Sequence, residues 1–373
     1  MARQASNDAR HGATRPGLRE DGPATTSEEY IPGTQIRVLR SVDAMRAFRS
    51  GLSSQDSVGL VPTMGALHEG HARLIRAAAG ENDSVVVSIY VNPAQFGIRE
   101  DLDSYPVTWD GDCRVLAGLN AEFAAEGAKG RIEAVFVPTT REMYPSGFPG
   151  QEVDSQGSFV TITPEGSVLE GASRPTFFRG VATVVMKLFA VAQPRRAYFG
   201  QKDAQQTVVV RKMARDFLLP VEVRVVPTAR EEDGLAKSSR NAYLGERRRR
   251  VATVLHRALL AARERFGAGE RSREAVLAAA KGVLDSTLAE QMRLPPSERV
   301  RFELDYISAA SPDTMQEVDP IDPHQGAILS GAVRFLPVEE PREGEDLGHS
   351  GGPLVRLIDN VLIEPEENTP AAA

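Results

Sequence analysis

Val58-Gly59-Leu60-Val61-Pro62-Thr63-Met64-Gly65-Ala66-Leu67-His68-Glu69-Gly70-His71 decides the fold reading. An apolar, β-branched run opens it, a Gly-bearing turn breaks it, and a helix-like stretch over Gly70–Ala79 follows. That is a strand, a turn and a helix. The alternation recurs down the chain: Val85–Val91, Ala134–Val137, Ala197–Phe199 and Val221–Val226 read as short strands. Asp110–Glu126, Gly180–Ala192 and Asp203–Phe217 read as helices between or after them. Such spacing suits βαβ units and predicts an α/β fold, a Rossmann-like doubly wound parallel sheet with helices on both faces.

The texture changes at both ends of this region. Residues 1 to about 34 hold four Arg and five acids with almost no bulky apolar side chain, which predicts a disordered arm. After about residue 245, helical stretches at 246–267 and 271–290 precede β-like runs at 301–308, 327–335 and 354–363. These predict a smaller α+β unit, with Glu339–Gly352 as an exposed insertion in a hairpin. The expected division is therefore an arm to residue 34, a sheet domain over 35–236, a C-terminal lid domain over 237–366 and a short tail over 367–373. The Glu246-Arg247-Arg248-Arg249-Arg250 run reads as a solvated helix start with no functional role.

Composition narrows the function. A chain of 373 residues with 41% hydrophobic and 25% charged side chains fits a globular protein of about two domains. A formal charge of −7 disfavours a broad grip on nucleic acid or an anionic membrane, so any phosphate site is built locally. One cysteine, Cys113, excludes an intramolecular disulfide and a multi-thiolate zinc site, and reads as a small buried residue. The most apolar stretch, Val181–Ala192, is too short to span a bilayer and holds Lys187. Four Arg against one Asp in the first nineteen residues hint at a transit peptide, but no apolar face accompanies them. The cytoplasm is the expected compartment.

Three segments carry chemistry. His68 and His71 stand near the first turn of a helix, where unpaired N–H groups already favour phosphate, and can add donors to triphosphate oxygens. Gly65 permits close backbone approach, and Gly70 leaves the space between the rings free. In Gly200-Gln201-Lys202-Asp203-Ala204-Gln205-Gln206 the Lys202 ammonium suits a phosphate. Asp203 and Gln206 equally fit a helix capping box. The third segment, Arg230 to Asn241, is a Gly-containing loop ending in Lys237, Ser238, Ser239 and Arg240, a set able to close over an anionic leaving group.

At these segments the chain resembles the pantoate–β-alanine ligase family of His-x-Gly-His nucleotidylyltransferases, which share such loops with class I aminoacyl-tRNA synthetases. Further matches are Tyr90–Gly97, Glu100–Pro106, Met143-Tyr144-Pro145 and Arg356-Leu357-Ile358-Asp359-Asn360, so the resemblance covers roughly residues 36 to 364. It implies ATP as substrate, Mg²⁺, a pantoyl adenylate, attack by β-alanine, and a homodimer. It also implies that Met64, Gly65, Ala66, Leu67, His68, Glu69, Gly70 and His71 line the ATP site, the two His stabilising the transition state and the second donating a proton. Gly200, Gln201, Lys202 and Asp203 would complete that site with Lys237, Ser238, Ser239 and Arg240, and Ala229 would lie near the adenine.

Pantoate contacts fall on Gln95 and Gln206, two amides able both to donate to and to accept from a small hydroxy acid. Arg174 is a candidate for substrate-side charge and Asp112 for holding hydrated metal; each also fits a surface ion pair. Phe177, Lys237, Ala204 and Val107 depart from the family pattern, which usually has His, Met, an aromatic and Arg there. Rival readings are another nucleotidylyltransferase of the same motif, which leaves Gln95 and Gln206 unexplained, and a weakened nucleotide-binding homologue.

Overall fold

The computed structural model describes residues 29–97, 102–148 and 150–366. The chain begins β1 (Arg37–Leu39), α1 (Val42–Gly51), β2 (Val58–Thr63), α2 (Glu69–Glu81), β3 (Ser84–Ile89), α3 (Trp109–Glu126) and β4 (Arg131–Phe136). Two short helices follow, α4 (Thr140–Met143) and α5 (Glu170–Ser173), and then α6 (Phe177–Ala192), β5 (Arg196–Gly200), α7 (Ala204–Asp216) and β6 (Glu222–Val226). The C-terminal part holds α8 (Gly245–Arg249), α9 (Val254–Gly267), α10 (Arg273–Met292), β7 (Phe302–Ala310), β8 (Ala327–Phe335) and β9 (Val355–Ile363).

The first six strands pair in parallel in the order β1-β4-β3-β2-β5-β6. β3 and β4 lie on one side of β2, whereas β5 and β6 lie on the other, so the winding reverses between β2 and β5. Loops leaving the carboxyl ends of two such strands diverge and open a crevice. β2 ends at Thr63 and β5 at Gly200, so the His-bearing and Lys-bearing turns emerge side by side.

Side-chain alternation along the strands fills both faces. Leu60, Val86 and Phe199 pack among residues of α1, α6 and α7, including Met45, Val185 and Val209. Val61, Val87 and Ile132 pack on the other face with Ile75, Leu116 and Phe123 of α2 and α3. Gly180 is required where α6 crosses the Pro93–Gln95 turn, since a Cβ there would meet the Ala94 carbonyl oxygen at 2.1 Å. β7, β8 and β9 form a separate antiparallel sheet. Leu255, Leu259 and Leu284 of α9 and α10 join Leu329, Val333 and Val361 in its core. Among the described residues no helix is long and apolar enough to cross a membrane. Cys113 is buried, as expected.

Four expectations need correction. Residues 29–34 belong to the fold: Ile31 is buried, its N–H bonds the Ile36 carbonyl, and Glu29 pairs with Arg40. The remainder of the expected arm, and the tail over 367–373, lie outside the described residues. The stretch 246–267 is two helices, α8 and α9, separated by turns. The Arg run is not simply solvated, because Arg247 and Arg248 are buried, Arg248 at 0% exposure. The Arg248 guanidinium donates to the carbonyls of Tyr243, Leu244, Leu336, Leu347 and Pro353, tying α8 to both ends of the β8–β9 connection. That connection is the expected hairpin insertion, but it is anchored rather than merely exposed, since half-buried Glu345 forms a fork with buried Arg247. A helical charge run looks solvated in sequence because nothing local reveals which carbonyls will surround it.

Arg248→Met keeps much of the side-chain volume yet strands these buried carbonyls, so it should cost about 3 kcal/mol or more of stability. Urea unfolding checks this; an unchanged midpoint would show that the buried guanidinium contributes no stability.

Candidate active site

The turn between β2 and α2 is shaped by a buried carboxylate. Asp112, on the first turn of α3, accepts from the N–H groups of Ala66 (3.1 Å) and Leu67 (2.8 Å) and from the Thr108 hydroxyl (3.0 Å). Burial pushes its carboxyl pKa up, while the Leu67, Thr108 and Ala66 donors oppose that shift. Gly65 and Ala66 both adopt positive φ, +82° and +50°, and a Cβ on Gly65 would press Asp112 Oδ2 at 3.0 Å. Asp112 thus spends both oxygens on the turn, and among the described residues no group of three His, Cys, Asp or Glu could hold a metal ion. The residues present do not build a metal cage around it.

His68 caps α2, and its partner completes the cap. Gly70 N–H donates to His68 Nδ1 at 3.0 Å, and His68 N–H donates to His71 Nδ1 at 3.3 Å. Each Nδ1 is therefore an acceptor, which leaves the proton of each neutral ring on Nε2. The ring centroids are 4.1 Å apart. Burial, followed by repulsion from Lys202, lowers His68 to about 4, with Asp203 opposing, Lys237 adding and Glu231 opposing. Burial, then His68 and Lys202, lowers His71 to about 3. Gly70 is needed here, since its Cβ would lie 2.7 Å from His68 Cε1.

The other two segments face this pair. Met64, His68 and His71 share a cleft with Gly200, Lys202, Asp203, Ala229 and the Lys237–Arg240 segment. Lys202 Nζ is 3.0 Å from Asp203 Oδ1, and Lys237 Nζ is 3.1 Å from Glu231 Oε2. The basic loop is closed by bridge pairing of Arg230 with Ala236 and by Lys237 N–H on the Ala229 carbonyl. Ser238 Oγ accepts from Arg240 N–H, and Ser239 Oγ lies 3.0 Å from the Tyr105 hydroxyl.

Gln95, Gln206 and Arg174 line the same cleft. Gln95 is aimed by Asn92 Nδ2, which donates to its Oε1 at 3.0 Å, and Tyr144 holds Asn92 in turn. No side-chain cap forms at Asp203, so the capping-box alternative fails. Gln205 instead turns inward, donating to the Glu165 and Val168 carbonyls, while its neighbour Gln206 faces the cleft. Arg174 lies 3.8 Å over the Phe177 ring, pairs with Glu170 at 3.2 Å and donates to the Gln95 carbonyl.

Gly65, Ala66, Leu67, Glu69 and Gln201 lie outside the cleft wall. Glu69 pairs with Arg76, and Gln201 reaches β9. Sequence reasoning gave no role to Ser88 and Thr228, whose buried hydroxyls line the cleft without a protein partner, nor to Tyr105. The one available signal for Ser88 was a polar residue inside the apolar β3 run.

A family profile described as Pantoate-beta-alanine ligase matches residues 37–362. The chain belongs to the pantoate–β-alanine ligase family. A pantothenate synthetase from Roseiflexus castenholzii is 46% identical over 329 residues, 88% of this chain and 100% of the relative. The crystal structure of pantothenate synthetase from Thermus thermophilus matches with TM-score 0.69 at 38% identity, over 88% of this chain and 100% of that one. A pantoate–β-alanine ligase from Francisella tularensis, solved with beta-gamma ATP and beta-alanine, matches with TM-score 0.58 at 27% identity, over 88% of this chain and 98% of that one. The ligase fold of the family is thus that of this chain.

Because both imidazoles are held neutral, the unfolded chain binds more protons than the folded one as pH falls from 6.5 towards 4. Stability should therefore drop on acidification across that window. His71→Asn should flatten the drop in calorimetric melts between pH 6.5 and pH 4, and an unchanged slope would contradict the depressed pKa.

Proposed function

We propose that the chain condenses pantoate with β-alanine at the expense of ATP, through a pantoyl adenylate. In the first step a pantoate carboxylate oxygen attacks the α-phosphorus, and the bond to the departing pyrophosphate breaks. In the second, the β-alanine amine attacks the acyl carbon, loses a proton and expels AMP. Neither step needs a nucleophilic side chain. The observation that carries this reading is the paired Nε2–H imidazoles facing Lys202 and the Lys237–Arg240 loop across one cleft.

The cleft suits anionic chemistry. Neutral His68 and His71 offer hydrogen bonds to phosphate oxygens without needing a proton from solvent, and at so low a pKa His71 serves better as hydrogen-bond donor than as acid. Lys202, Lys237 and Arg240 would meet charge developing on the leaving group. Gln95 and Gln206 would bind the hydroxy acid, and Arg174, held over the Phe177 ring, would take a substrate carboxylate. Ser88 and Thr228 add two hydroxyls that a polar ligand could satisfy. Mg²⁺ would arrive on the phosphates, as it commonly does, and no step here is routed through it. A homodimer belongs to the same reading and rests on the family resemblance, whereas a cytoplasmic location rests on the composition of the chain.

Purified protein should form AMP only when pantoate and β-alanine are both supplied; AMP formation with either one omitted would defeat the proposal. Gln206→Leu should raise the KM for pantoate by about tenfold with a smaller change in kcat. Lys237→Met should slow pantoate-dependent ATP–pyrophosphate exchange by about threefold to tenfold, and an unchanged rate would remove Lys237 from the reaction.

A further inference from the structure

Two adjacent residues of β9, Asp359 and Asn360, are almost fully buried, at 5% and 1% exposure, although they are polar and lie on the edge strand of the small sheet. Asn360 Nδ2 donates to the carbonyls of Gln201 (2.8 Å) and Lys202 (2.9 Å), and its Oδ1 accepts from Gln201 Nε2 (3.2 Å). One amide thus grips the main chain of the turn that carries the Lys202 ammonium. Asp359 forms a two-pronged pair with Arg230, at 2.7 and 2.9 Å, and Arg230 also donates to the Asn360 carbonyl and to the Gly234 carbonyl. Arg230 opens the loop that ends at Lys237–Arg240. His256 of α9 approaches Asp359 at 3.3 Å, and Gly234 packs so closely on that ring that a Cβ would lie 2.7 Å from it.

We propose that Asp359 and Asn360 are positioning residues, a clamp by which the C-terminal sheet sets the Lys202 turn and the basic loop in one frame. The segments come from different parts of the chain, 201–202 after β5 and 230–237 after β6. Consecutive residues of one rigid strand fix their mutual spacing, so both cations face the same phosphate positions. The residues themselves do not touch substrate. This inference rests on the proposed phosphate roles of Lys202 and the basic loop.

The test is a double-mutant cycle on the full-length enzyme. Asn360→Ala should retain a cooperative melt yet lower kcat for pantoate-dependent ATP–pyrophosphate exchange about tenfold, with the KM for pantoate changed less than about twofold. On a Lys202→Gln background the same substitution should cost less than about twofold more, because the group it positions is gone. Unchanged exchange in Asn360→Ala, or a full additional loss in the double variant, overturns the clamp. Should Asn360→Ala fail to fold, Asn360→Asp keeps the acceptor for Gln201 but loses both donated bonds, and is judged by the same criteria. If Lys202→Gln alone leaves exchange untouched, the phosphate role of Lys202 fails instead, and the kcat of Asn360→Ala then decides the clamp by itself.

Discussion

Backbone N–H groups at the start of α2 hold two imidazoles by their Nδ1 atoms, and the rest of the cleft depends on that constraint. An imidazole whose Nδ1 accepts must carry its proton on Nε2 when neutral, so both rings become fixed donors. Burial and nearby ammonium groups keep them neutral far below physiological pH. Several local features serve this geometry. Asp112 holds the preceding turn, Gly65 permits its left-handed conformation, and Gly70 makes room for the His68 ring.

Three of the cations that line the cleft are matched by an acid. Lys202 has Asp203, Lys237 has Glu231, and Arg174 has Glu170. Partly buried charge is costly unless paired, and such pairing offsets that cost. An anion bound as proposed would exchange one partner for another rather than meet bare charge. The same logic explains why Arg247 and Arg248 are tolerated inside the C-terminal part, where a carboxylate and a ring of carbonyls surround them.

Much of this was legible beforehand. Strand and helix runs from β2 to β6 follow hydrophobic periodicity, and Val58–Val61 and Gly180–Ala192 fall inside the elements observed. The His-x-Gly-His spacing placed both rings at a helix start. Short or strongly tertiary elements escaped: β1 is three residues long, and Ile31 is buried only because the neighbouring chain returns against it. Gln205 and Gln206 are indistinguishable in sequence, yet one holds the 165–170 segment and the other faces the cleft, because helical rotation alone separates them.

Sequence by itself determined the fold class, the family and the kinds of group available for phosphate and hydroxy acid, because these depend on local periodicity and on motifs contiguous in the chain. Only tertiary structure decided that both imidazoles are buried and so kept neutral, that Asp112 braces a turn, and that Asn360 reaches the carbonyls of Gln201 and Lys202. The last two depend on partners 45 to 159 residues away, and the first on the water that packing excludes. None of these is written in any single stretch of the chain.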